Sequence, residues 1–593
     1  MSGRPDQEDR LGKAYDARMV RRLARWVRPY RGLVTLTLLL LAAVSAAQLA
    51  QPYLLKLAID GYIVQRKAAG LLLPAGLFLA ALMAEFVLGF FQLYVLEKTG
   101  QNVVFDLRQA VFAHLQRLPS AFFDRNPVGR LMTRLTSDVE SLNEAFTSGL
   151  VLILADLAKL AAIVVILIWM DWRLALVTFA IVPPILGVSW WIRVRVRDAY
   201  RRIRNSVARL NAFLQENVSG MRLVQLFLRE RTAFAEFKAL NGEHRDHQLA
   251  GVRYESLFSS VAELMGSLTL AAILWAGGIR LLGGAVTFGT LVAFIEYAQR
   301  FFRPLQELSQ RYTVMQAAMT SSERIFELLD TEVTIASPPQ AHRPPQRPRG
   351  EIVFDRVTFA YRPGLPVLHD LSFAIRPGER VAVVGWTGSG KSTLIRLLVR
   401  LYDVQEGRIL VDGVDVRDWD LGELRRSVGV VLQDHFLFAG TVEQNLSLGD
   451  PRISPERVRA AARAVHADRF IERLPLTYAE PVRERGSNFS VGEKQLLSFA
   501  RAIAFDPAVL VLDEATSSVD PATEARIQEA LELLLRGRTS ITIAHRLGTV
   551  EASDRILVLH HGRLIEEGSH EALLRLPEGI YRTLWTLQQV AAS

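Results

Sequence analysis

Residues 33–55, LVTLTLLLLAAVSAAQLAQPYLL, run for 23 positions without a charged side chain. A helix of that length rises about 35 Å, enough to cross a hydrocarbon core of about 30 Å. Five more apolar stretches follow: 69–96 with Glu85 inside, 147–170 with Asp156 and Lys159, 174–192 with no charge, 256–279 with Glu263, and 281–299 with Glu296. A water-exposed domain does not bury six such runs in succession. Residues 1–330 are therefore predicted to form an α-helical membrane domain of six transmembrane helices.

The basic residues orient it. The net charge of +9 is carried almost wholly by arginine, for the chain has 8 lysines. KAYDARMVRRLARWVRPYRG, before the first run, holds seven basic residues interleaved with Met19, Leu23 and Trp26. That pattern predicts an interfacial helix on an anionic leaflet. Residues 97–146 and 193–255 are also Arg-rich, whereas the intervening loops are short and poorly charged. By the positive-inside rule the two long loops and both termini are expected in the cytoplasm. FDLRQAVFAHLQRL and RRIRNSVARLNAFLQENV carry helical patterning and predict water-exposed extensions of membrane helices. Their turns are expected at 118–129 and 215–222, where Pro, Asn and Gly gather. No apolar signal segment opens the chain, and with no cysteines there is neither a disulfide framework nor a zinc-thiolate site.

Carboxylates inside the spans are costly unless they face a partner or a cavity. Asp156 and Lys159, spaced i, i+3, can neutralise each other. Glu85, Glu263 and Glu296 either hydrogen-bond between helices or line a chamber that prefers cationic cargo.

SPPQAHRPPQRPRG (337–350) is too rich in proline for helix or sheet and reads as a linker, so the expected division is 1–330 membrane domain, 331–350 linker and 351–593 soluble α/β domain. GERVAVVGWTGSGKSTLIRLLVRL then predicts a buried strand, a glycine-rich loop and a helix. Gly385 to Ser392 fit G-x-x-x-x-G-K-[ST] in that context. Its glycines let backbone N–H groups approach phosphates, the helix N-terminus adds positive potential, and Lys391 supplies a compact cation. Ser392 can ligate Mg²⁺. VLVLDEATSSVD (509–520) predicts an apolar strand with Asp513 and Glu514 at its carboxyl end, where ligands of open parallel sheets sit. Asp513 suits Mg²⁺, and Glu514 suits orienting or deprotonating an attacking water.

These motifs, with VVLQD (430–434), FSVGEKQ (489–495) and TIAHR (542–546), resemble in order and spacing the P-loop ATPase domain of ABC transporters. Six spans with two long excursions, and FFDRNPVGRLMTRLTSDV (122–139) in the first, resemble an ABC exporter half-transporter of the multidrug or lipid type. The resemblance implies Mg²⁺–ATP as cofactor. It implies phosphate contacts at Gly385, Thr387, Gly388, Ser389, Gly390, Lys391, Ser392 and Thr393, and adenine stacking on Tyr361. Gln433 is implied at the metal and attacking water, and His545 at the γ-phosphate beside Glu514. Asp520 matches the end of an inter-subunit loop, and RERG (483–486) an element that touches the coupling loops.

In this family the turn at 487–495 closes over the nucleotide of the other subunit. Ser490, Gly492 and Glu493 are thus implied in trans to a partner's ATP. The consensus turn is Leu-Ser-Gly-Gly-Gln, and Val491 and Glu493 depart from it. A β-branched side chain and a carboxylate both weaken a phosphate clamp, which points to a heterodimer with a second half-transporter; a homodimer tolerating the variant turn is the alternative. The expected activity is ATP-driven export of amphipathic drugs or lipids across a bacterial cytoplasmic membrane. A lipid flippase or importer on the same scaffold is the second reading. A nucleic-acid ATPase is disfavoured, because the arginines concentrate beside the membrane runs and no aromatic-basic platform is visible. No peptidase segment precedes the first run, which disfavours leader-processing peptide exporters.

Overall fold

The computed structural model describes residues 17–144, 147, 151–180, 182–513, 521–543 and 550–592. They form two compact units. One takes the residues up to Ala113 with Leu131–Asp330, and the other takes His114–Arg130 with Thr331 onward.

The first unit is helical throughout. An amphipathic helix α1 (Ala17–Val27) precedes α2 (Arg31–Ala58) and α3 (Leu72–Leu115). After the first excursion come α4 (Val151–Met170), α5 (Trp172–Phe179), α6 (Val182–Ser219), α7 (Glu230–Leu282) and α8 (Phe288–Leu329). Among the described residues four helical stretches are long and apolar enough to cross a membrane: Arg18–Ile63, Leu72–Leu115, Val151–Met170 and Glu230–Leu282. The apolar runs at 174–192 and 281–299 are also largely helical, within α5–α6 and α7–α8. The core lies where α4, α5, α7 and α8 meet: Leu160, Ile163 and Leu167 face Leu174, Ile273, Leu291, Phe294 and Phe301. The i, i+3, i+7 spacing on α4 and the i, i+3, i+10 spacing on α8 put those side chains on one stripe of each helix. Elsewhere the helices expose large apolar side chains, Trp275 and Leu282 among them, as membrane helices facing hydrocarbon do.

A polar network crosses this unit. Pro52 lacks an N–H, so the Gln48 carbonyl one turn back has no helical donor. Arg300 of α8 supplies it, and also donates to Gln51 Oε1 at 2.8 Å. Gln48 and Gln51 in turn donate to the two oxygens of Glu85 on α3 (2.8 and 2.5 Å), and Lys159 of α4 donates to Gln48 Oε1. Glu85 is thus a hydrogen-bonded crosslink between helices, which leaves it a poor lure for cationic cargo. Asp156 pairs with Arg311 at 3.1 Å, so it and Lys159 each have a partner on another helix.

In the second unit β1 (Ile352–Phe359), β2 (Leu368–Ile375), β4 (Glu406–Val411) and β5 (Val414–Asp415) form an antiparallel sheet in the order 2-1-4-5. The larger sheet is six-stranded. It contains β3 (Arg380–Val384), β6 (Val428–Val431), β9 (Val509–Asp513), β10 (Thr539–Ile543), β11 (Arg555–His560) and β12 (Arg563–Gly568) in the order 12-11-3-10-9-6, parallel except for β12. A two-stranded ribbon, β7 (Gly440–Thr441) with β8 (Pro481–Val482), stands apart. Period-2 alternation along β9 divides the core: Val509 and Val511 pack with helix α9 (Lys391–Leu398), whereas Leu510 and Leu512 pack with helix α10 (Val491–Phe505).

The proline-rich linker has no helix and only one isolated bridge, His342 with Trp419, yet its backbone is tied down. Ala336 O accepts from Arg400, Ser337 Oγ accepts from Leu421 N, and the Asp412 carboxylate accepts from the N–H groups of Arg349, Gly350 and Glu351. Proline excludes ladder pairing but leaves carbonyls for side chains to donate to.

Candidate nucleotide-binding site

Register assembles the site at one edge of the large sheet. Ile543 at the end of β10 sits opposite Val383 on one side and Asp513 on the other, and Val431 sits opposite Leu512. The loop opening at Gly385, the carboxylate of Asp513 and the segment carrying Gln433 therefore leave the same carboxyl edge. Glu514, Asp520 and His545 lie outside the described residues.

The loop demands its glycines. Gly388 and Gly390 have φ of 84° and 102°, where an L side chain is strained. Gly385 has φ 152°, and a Cβ there would lie 2.2 Å from the Leu559 carbonyl oxygen. Helix α9 starts at Gly390 with no side-chain cap, so its first N–H groups face the loop without a side-chain acceptor. Ser389 is buried and its hydroxyl has no hydrogen-bond partner among the described residues. Lys391 is also buried; its Nζ donates to the carbonyls of Gly385 and Trp386 at 2.8 and 2.9 Å, bending over the cradle. Burial pushes its pKa below the usual lysine value, against the opposing charge of Asp513. Uncapped N–H groups, an orphaned hydroxyl and a cation beside a carboxylate fit a phosphate chain. Ser392, Asp513 and Gln433 carry side-chain oxygens of the kind that could hold Mg²⁺.

Tyr361 stands edge-on to Phe359 (4.8 Å) and Tyr402 (5.1 Å), and its hydroxyl donates to Thr393 Oγ1 at 3.2 Å. Half-buried and backed by two rings, it presents a π surface above the first turn of α9. The Tyr402 hydroxyl in turn donates to Asp124 at the tip of the first excursion. No local sequence signal links these two residues, which lie 278 positions apart. Burial, then the Asp124 bond, holds the Tyr402 phenol above its ordinary pKa.

Gln433 and Asp434 are exposed after β6. The loop beyond them is anchored from behind: Arg501 of α10 donates to Phe436 O (3.2 Å) and Asn445 O (2.8 Å). His435 in the same loop is driven down to about 4 by burial, Asp434 opposing and Arg501 and Lys494 assisting.

The variant turn caps α10. The Ser490 hydroxyl accepts from Glu493 N, and Glu493 Oε2 accepts from Ser490 N (2.8 Å) and Ser490 Oγ (2.9 Å). This is a capping box. The carboxylate of Glu493 therefore holds both the hydroxyl and the N–H of Ser490. Val491 is 55% exposed on the rim.

A glycine-rich cradle with a buried lysine, a strand-end aspartate and a facing aromatic define a P-loop ATPase, here fused to a helical membrane unit. Comparison with known proteins names the family. Residues 34–305 match the family described as the ABC transporter transmembrane region, and residues 368–517 match that described as ABC transporter. A probable multidrug resistance ABC transporter ATP-binding/permease protein, YheH of Bacillus subtilis, is 39% identical over 503 residues, covering 84% of this chain and 74% of that protein. An ATP-dependent lipid A-core flippase of Syntrophus aciditrophicus is 35% identical over 574 residues, covering 96% and 94%. Among solved structures, a bacterial Atm1-family ABC exporter with ATP bound is similar at TM-score 0.76 and 31% identity, covering 94% of this chain and 98% of that one. The chain belongs to the ABC transporters as an exporter half-transporter, a membrane protein that couples hydrolysis of Mg²⁺–ATP to transport.

Proposed function

We propose that this chain is one half of a heterodimeric exporter that moves amphipathic small molecules, drugs or lipids, out across a bacterial cytoplasmic membrane, with both termini in the cytoplasm. Residues 1–330 act as the membrane domain, 331–350 as the linker and 351–593 as the ATPase. One observation carries the dimeric part. The phosphate loop leads into a helix on one face of the large sheet, and the Ser490 turn leads into a helix on the other. A sheet stands between the two halves of a nucleotide site, so a second subunit must bring its own turn to Lys391. In that arrangement Tyr361 stacks on adenine, the backbone from Gly385 to Thr393 holds the phosphates, and Asp513, Ser392 and Gln433 hold the metal. Glu514 orients the attacking water with His545. Ser490, Gly492 and Glu493 face the partner's nucleotide.

The heterodimer is favoured by Glu493, whose carboxylate already occupies the Ser490 donors. One pocket pairs this chain's phosphate loop with the partner's turn, and the other is covered by a turn that repels triphosphate. The test is hydrolysis in vesicles by this chain alone and by the complex co-purified from its native membrane. The complex is expected to turn over, Glu514→Gln to trap ATP in it, and the lone chain to be slow. Brisk hydrolysis by the lone chain, abolished by Glu514→Gln, refutes the heterodimer in favour of a homodimer.

A further inference from the structure

A cavity of about 430 Å³ lies beneath α1, walled by α1, the starts of α2 and α4, α3 and α8. Two polar pins set its width. At one end Arg22 grips Asp330 through both carboxylate oxygens (2.6 and 2.7 Å) and lies 4.2 Å from the Phe326 ring. At the other, the Tyr30 hydroxyl donates to Asp106 of α3 at 2.8 Å. Between the pins several of the facing side chains are short: Ala24 and Val27 on one wall, Gly100 and Val103 on the other. Short side chains between fixed ends leave space that the bundle does not fill. The lining is almost wholly apolar. Its threonine hydroxyls, Thr35, Thr37 and Thr99, are spent on the carbonyls of Gly32, Leu33 and Val95 and offer nothing to a polar guest. Arg28 and Arg31 stand exposed at the edge where α1 passes into α2, with no ion-pair partner among the described residues.

We infer that this cavity binds one acyl chain of an anionic phospholipid, whose phosphate sits between Arg28 and Arg31. The volume falls within the roughly 300–1,000 Å³ of small-molecule sites. An apolar slot with two unpaired guanidiniums at its rim matches an acyl tail with a negative head. A zwitterionic lipid brings its own ammonium to the phosphate and compensates the two arginines only in part, and a soluble anion leaves the slot empty. The lipid then wedges α1 against the bundle, tying the end of α8 to the composition of the leaflet. The inference rests on the proposed placement of α1 at the cytoplasmic leaflet.

The experiment uses the full complex in nanodiscs containing a phosphatidylglycerol or a phosphatidylcholine with a photoreactive group in one acyl chain, and maps labelled peptides. Labelling of Leu96–Val103 is expected from phosphatidylglycerol at about tenfold the level from phosphatidylcholine. Arg28→Gln with Arg31→Gln is expected to erase that preference, and Ala24→Phe, at an exposed position, to remove the labelling from both lipids. The lipid-facing α2 surface around Leu39 serves as control. Labelling near Leu39 but not at Leu96–Val103 overturns the inference and leaves the membrane placement intact. Labelling at neither site overturns the placement too. Equal labelling by both lipids, or a crosslink from the partner subunit into the slot, also overturns it.

Discussion

Glu493→Gln tests whether the carboxylate in the capping box restrains the site it covers. Glu493 Oε2 lies 2.9 Å from the Ser490 hydroxyl. A phosphate oxygen that takes this hydroxyl's proton from Glu493 stands about 2.7 Å beyond it, so the two anions are up to about 6 Å apart. At an effective dielectric near 20 they repel by roughly 3 kcal/mol. Halving that for solvent at the rim leaves about 1.5 kcal/mol, or roughly tenfold in affinity. Against this, the neutral amide is a weaker cap at the positive end of a helix, which costs about 1 kcal/mol of local stability. The two effects separate experimentally. In the complex carrying Glu514→Gln on this chain, occluded ATP is counted at the partner's phosphate loop, and melting is followed in parallel. Glu493→Gln is expected to raise occlusion affinity about tenfold while lowering the apparent Tm of the ATPase by about 2–4 °C. Unchanged or weaker occlusion alongside the lowered Tm would show that Glu493 is a helix cap and nothing more.

Tyr402→Phe removes the donor to Asp124 but keeps the ring behind Tyr361. A charge-assisted bond of about 1.5–3 kcal/mol, discounted for partial exposure, predicts a three- to tenfold fall in transport per ATP with an unchanged KM for ATP, measured in proteoliposomes. His435, held at about 4 in the folded state against 6.5 unfolded, binds more protons when unfolded between those values. The ATPase unit is therefore expected to lose stability as pH falls from about 6.5 toward 4, and His435→Gln to flatten that slope in thermal melts. Gly385→Ala forces a Cβ to 2.2 Å from the Leu559 carbonyl oxygen and is expected to cost about 2–4 kcal/mol, read by denaturant unfolding, with loss of nucleotide binding.

Chemistry carried by adjacent residues was legible in the linear chain. The uncharged run at 33–55 requires an internally hydrogen-bonded helix in lipid whatever surrounds it. The glycines from 385 to 390 and the lysine after them announce a phosphate cradle, because the backbone geometry they permit is local. Val491 and Glu493 were recognisable as departures from a clamp. What Glu493 does, closing a box on Ser490, is decided only in the folded chain, since a side chain three residues along can fold back or point away. Long-range pairs left no trace in sequence. Asp124 meets Tyr402, Arg300 takes the carbonyl that Pro52 frees, and α1 is pinned off the bundle by Arg22 and Tyr30. Each depends on two segments whose separation along the chain says nothing of their separation in space. Sequence thus determined which elements form and which chemistry they carry, because periodicity and backbone restriction act over a few residues. Tertiary structure alone decided that the phosphate loop and the Ser490 turn lie on opposite faces of one sheet, because alternate residues of β9 point opposite ways and each face recruits its own helix.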